Sequence, residues 1–177
     1  MLLHDSRRDA RASADGELII LEDQDRGLWD QAQISEGQTL LERGLRMRRP
    51  GPYQIQAAIT ALHAEAINPG ETDWRQIEAL YATLAKMNPS PIVDLNRAVA
   101  VAMARGIEQG LSLMDHIDEL DEYYLYHSAR ADLLRRSGRK REAAEAYRRA
   151  LELAENQTEV TYLRRRLREV TQTDESH

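Results

Sequence analysis

The chain has 177 residues, a formal net charge of −6, 42% hydrophobic residues and no cysteine. That length holds one domain or two small ones around a continuous apolar core. The lack of cysteine excludes disulfides, thiolate chemistry and thiol-based zinc sites, and the negative charge does not favour nucleic acid as a global partner. The opening MLLHDSRRDA reads as the tail of a helix whose beginning is absent, which suggests a piece of a longer chain. No secretory leader pattern opens it and no apolar run approaches bilayer length, so a soluble cytoplasmic protein with no membrane contact is expected. Next comes RASADGELIIL, in which Asp15-Gly16 suits the positive φ angles of a tight hairpin turn. Short strands on either side, with Leu18 and Ile20 on one face, would be marginal alone and should pack on neighbouring helices. The acidic run LEDQDRGLW leads through Trp29 into a helix. Leu40, Leu41, Leu45 and Met47 then line an amphipathic helix that stops before Arg49-Pro50-Gly51-Pro52.

Beyond residue 50 the pattern is helical throughout. Apolar spacing and turn signals predict three α-hairpins, roughly 52–88, 91–118 and 122–155. WRQIEALYATLAKMNP reads as a second helix ended by Pro89. SPIVDLNRAVAVAMARG reads as a first helix with Ser90 as N-cap and Pro91 at its first position, where the missing N–H costs nothing. A final helix, about 159–170, has Val160, Leu163, Leu167 and Val170 on one side and four arginines mostly on the other, the profile of a solubilising cap. Charge is unevenly placed: six acidic residues and no Lys or Arg between Ile107 and Tyr123, then twelve basic against six acidic between Arg130 and Arg168. A solvated helix face laced with i,i+4 pairs accounts for most of this, and an electrostatic docking surface is the sharper alternative.

The best-defined stretch, YYLYHSARADLLRRSGRKREAAEAYRRALELA, joins two amphipathic helices at Gly138. Small residues at Ala131, Ala143 and Ala150 permit close helix approach, and Leu134 and Tyr147 fill the seam. This resembles the tetratricopeptide (TPR) repeat, in which a turn glycine precedes Ala, an aromatic and Ala-Leu at fixed offsets. It departs where Glu155 replaces the usual terminating proline. Gly106 lies 32 residues before Gly138, close to the roughly 34-residue TPR period. The expected fold class is therefore all-α, a TPR-like array of helical hairpins with a small N-terminal helix/β-hairpin element. The expected layout is 1–50 for that element, 51–172 for the array with its capping helix, and 173–177 for a disordered tail.

A more specific resemblance spans residues 1 to about 170. MLLHDSRRDAR, DGELIILEDQDRGLWD, RRPGPYQIQAAITALHAEA, DWRQIEALY and SPIVDLNRAVAVA are similar to one group of extracytoplasmic-function sigma factors. In that group two DNA- and polymerase-binding sigma regions precede a long C-terminal extension with TPR-like helices. Nothing in this chain resembles either sigma region. The resemblance implies the extension alone, with a regulatory or protein-interaction role in transcription initiation. Its partners would be the sigma core, RNA polymerase or a signalling protein. Promoter DNA would be bound through the absent regions. The runner-up is a free-standing TPR adaptor unrelated to transcription, and a small-ligand sensor pocket between the hairpin element and the array is a third class.

No set of polar residues in the sequence completes a catalytic pattern. His63-Ala64-Glu65 matches half of a zinc-deaminase pattern whose cysteine pair cannot exist here, so His63 reads as a structural helix residue. Asp115, His116, Asp118, Glu119 and Asp121 lack the glycine and terminal glutamate of a calcium loop and read as an acidic helix end and connector. There is no P-loop, dinucleotide fingerprint or nucleophile elbow, and His4, His116, His127 and His177 have no recognisable acid–base partner. The reading is of a protein without enzymatic activity, cofactor or metal. Candidate partner-binding residues are Trp29, Tyr53, Gln54, Asp73, Trp74, Asn96 and Arg97. Trp29 alternatively pins the first helix to the core, and Asp73 alternatively favours a positive helix end. Asn96 and Arg97 would either clamp a peptide in a groove or, for Asn96, hydrogen-bond between helices.

Overall fold

The computed structural model describes residues 6–11, 19, 24–46, 51–66 and 68–172. Among them there are eight α-helices and no strand: α1 (Gln31–Arg46), α2 (Pro52–Glu65), α3 (Trp74–Met87), α4 (Pro91–Arg105), α5 (Ile107–Met114), α6 (Tyr124–Arg136), α7 (Lys140–Leu153) and α8 (Gln157–Gln172). The fold is an all-α array of helical hairpins, as the periodicity predicts. The hairpin expected around Asp15-Gly16 and the tail at 173–177 lie outside the described residues, although the Ile19 N–H donates to the Arg11 carbonyl at 2.9 Å. No helix among the described residues is long and apolar enough to cross a membrane. The chain divides into two compact units, Met1–Val93 and Asp94–His177.

In the first unit, α2 packs against both α1 and α3. Ile55, Ile59 and Ala61 of α2 and Ile77 and Leu84 of α3 are buried. The start of each helix is written in the sequence. At α2, Pro52 opens the first turn and Gln54 Oε1 accepts the Gly51 N–H at 2.9 Å. At α3, Asp73 Oδ1 accepts the Gln76 N–H at 3.0 Å. Before α4, Ser90 Oγ accepts the Val93 N–H at 3.2 Å, as an N-cap serine should. The amphipathic helix ending before Pro50 is α1, yet Leu40 stands 52% exposed and so is not part of a buried stripe.

In the second unit, small residues set the spacing. A Cβ added at Gly110 of α5 would lie 2.3 Å from Ala102 Cβ and 2.7 Å from the Ala98 carbonyl oxygen of α4, so the two backbones touch where there is no side chain. Leu111 and Met114 complete the buried face of α5. The turn between α6 and α7 is built on Gly138 at φ +80°. Its N–H donates to the Arg135 carbonyl and the Arg139 N–H to the Leu134 carbonyl, at 3.1 and 3.0 Å, the paired bonds of a Schellman ending. Ala131 on α6 and Ala143, Tyr147 and Ala150 on α7 are fully buried, the seam the sequence indicates. No proline follows α7; instead Asn156 Oδ1 accepts the Thr158 N–H at 2.8 Å and starts α8.

Two substitutions test these close crossings. Gly110→Ala forces α4 and α5 apart, and Ala143→Leu overpacks the α6–α7 pair; each should cost roughly 1–3 kcal/mol. Chemical denaturation measures both. A midpoint unchanged in either variant would mean that the corresponding seam is misplaced.

Candidate partner-binding surfaces

Trp29 follows a short 3-10 turn, Arg26–Leu28, fixed by Asp25 Oδ1 accepting the Gly27 N–H at 2.8 Å. This delivers the indole to a cluster with Ala10, Ile34, Ala61 and Ala64, where it is 3% exposed. Two guanidinium groups lie against the ring, Arg26 at 4.9 Å and Arg7 at 5.7 Å from its centroid. Arg26 Nη1 also donates to the carbonyls of His63 and Ala66, at the C-terminal end of α2, where a cation is favoured by the helix dipole. Trp29 therefore anchors the N-terminal segment to α2 and is not open to a partner.

His63 stands between this cluster and Trp74. The imidazole meets the indole edge-on, with centroids 5.2 Å apart and planes at 75°. Burial, with the positive fields of Arg7 and Arg26 added, lowers its pKa from 6.5 to about 4. The ring is thus neutral near pH 7 and serves as an aromatic contact. The structure brings Trp29 and Trp74 to the two ends of one network: Arg26 covers the first and bonds the His63 carbonyl, and the His63 ring covers the second.

The other candidates separate by role. Gln54 and Asp73 are occupied as helix caps. Tyr53, on the first turn of α2, is 84% exposed, the most open large hydrophobic side chain among the described residues. Asn96 is exposed on α4 and Arg97 is half-buried, with its Nε atom buried. Tyr53 and Asn96 are thus open to contact, and Arg97 is partly so. Trp29, Gln54 and Asp73 hold the fold, and Trp74 is half-buried against His63.

Sequence reasoning did not single out an open groove of about 580 Å³ in the second unit. Asp115, Asp118, Glu119 and Asp121 from the connector after α5 line one side, and Glu142 and Glu145 of α7 line the other, over Tyr126 and Leu134. Arg130 Nη1 reaches Asp115 Oδ1 at 2.6 Å, and Glu142 pairs with Arg139 at 2.5 Å. Asp118, Glu119 and Asp121 make no ion pair among the described residues, so the connector side keeps a negative field that attracts cationic groups. Glu119 holds φ at 73°, a left-handed conformation unusual for a residue with a side chain. No group of three or more His, Asp or Glu among the described residues is disposed to hold a metal ion. The acid run 107–123 was the sequence signal. It could not indicate that α7 would supply the opposite wall.

A family of unknown function, DUF6596, matches residues 1–45. Over 168 residues the chain is 48% identical to an uncharacterized protein of Rhizobium meliloti (strain 1021), an alignment covering 94% of this chain and 40% of that relative. The chain thus spans well under half the length of the curated relative it matches. No solved structure matches.

The site geometry predicts an acid-sensitive fold. Unfolded His63 binds its proton near pH 6.5 and folded His63 only near 4, so between these values the unfolded state holds more protons. The stabilisation is complete above 6.5 and drains away as pH falls toward 4, by up to roughly 3 kcal/mol. Denaturation midpoints across that window should show the slope in the native chain and a shallower one in His63→Gln; equal slopes would exclude His63 as its source. The caps predict a second result. Gln54→Ala and Asp73→Ala should each lose about 1 kcal/mol of stability while Tyr53→Ala loses almost none, an order read directly from thermal melts. A larger loss at Tyr53 would show that this ring is buried.

Proposed function

We propose that this chain is a regulatory, protein-interaction domain of an extracytoplasmic-function sigma factor that acts in transcription initiation. It contacts the sigma core, RNA polymerase or a signalling partner in the cytoplasm. The observation that carries the reading is the coincidence of the sigma-factor-like strings with whole structural elements. GPYQIQAAITALHAEA is the cap and body of α2, DWRQIEALY is the cap and first turns of α3, and SPIVDLNRAVAVA is the cap and body of α4. The Rhizobium meliloti relative supports it in a second way, because more than half of its length lies outside the matched segment and leaves room for further regions. A domain tethered to sigma regions works at high effective concentration and needs little intrinsic affinity. Tyr53, Asn96 and Arg97 are the side chains through which contact is made.

Promoter DNA is not its partner. Several arginines of the basic stretch 130–168 pair with carboxylates: Arg139 with Glu142 and Glu108, Arg141 with Glu145, and Arg165 and Arg166 with Glu169. Surface pairs of this kind contribute little to stability, but they dilute the positive field that phosphate contacts require.

The experiment mixes this chain with a fragment carrying the two sigma regions, with core polymerase, and with promoter and scrambled duplexes at two salt concentrations. Co-purification with the sigma fragment or polymerase, weakened by Tyr53→Ala or Arg97→Ala, is the expected result. DNA binding should be weak, equal for both duplexes and steeply reduced by salt. Capture by neither protein would favour the adaptor reading, and tight binding that distinguishes the duplexes at physiological salt would overturn the interaction reading.

A further inference from the structure

We draw no further inference here: the strongest candidate, the open acidic groove between the connector after α5 and the first turns of α7, rests on acidic side chains with no independent sign of an occupant, and nothing in the structure shows what fills it.

Discussion

The Asp132 carboxylate of α6 accepts hydrogen bonds from two phenols, Tyr147 of α7 on one oxygen and Tyr162 of α8 on the other, the second at 3.2 Å. Three consecutive helices of the second unit are thereby fixed to one side chain. Tyr147 is fully buried and Tyr162 nearly so, and a buried hydroxyl without a partner would cost roughly 1–3 kcal/mol. The apolar bodies of the two rings therefore pack in one arrangement only, the one that brings both tips to Asp132. Burial and the neighbouring carboxylate raise both phenol pKa values, that of Tyr162 to about 12, so both groups remain donors near neutrality. Arg166 bonds the Tyr162 oxygen and Glu169, extending the network along α8. Tyr124 reaches Glu159 and binds the start of α6 to that of α8. The alanine seam places the helices close together, and the phenols fix their register.

The first unit solves the same problem with cations. Its N-terminal segment has few large apolar groups beyond Trp29 and Ile34 among the described residues. Arg7 and Arg26 lie against the indole and lose some affinity for their protons through burial. A guanidinium against an aromatic face contributes roughly 0.5–2 kcal/mol, depending on how far it is desolvated. The neutral state of His63 follows first from its burial, with repulsion by Arg7 and Arg26 added.

The helices were legible because their signals are local. Proline and serine at the start of α4 and the glycine at φ +80° each act within a few residues of chain, and the small-residue seam lies across a single tight turn. Trp29 as an anchor is one of two readings in the sequence, and its burial favours that one. Gln54 and Asp73 stood out as polar residues in distinctive strings, yet their distinctiveness is that of capping chemistry. The Asp132 network has no local sequence signal, because it joins positions 15 and 30 residues apart whose meeting depends on two turns. The groove wall formed by Glu142 and Glu145 has none for the same reason, with the α6–α7 hairpin intervening.

The chain presents polar helix faces with isolated open side chains such as Tyr53. That architecture suits weak contacts made effective by tethering, which is the essence of the proposed role. The most direct measurement is promoter-dependent transcription in vitro, with core polymerase and the two sigma regions supplied as a fragment and this chain added separately at increasing concentration. The account predicts a saturable change in initiation that Tyr53→Ala diminishes while the fold is kept. Initiation that is identical at every concentration of a correctly folded chain would contradict it.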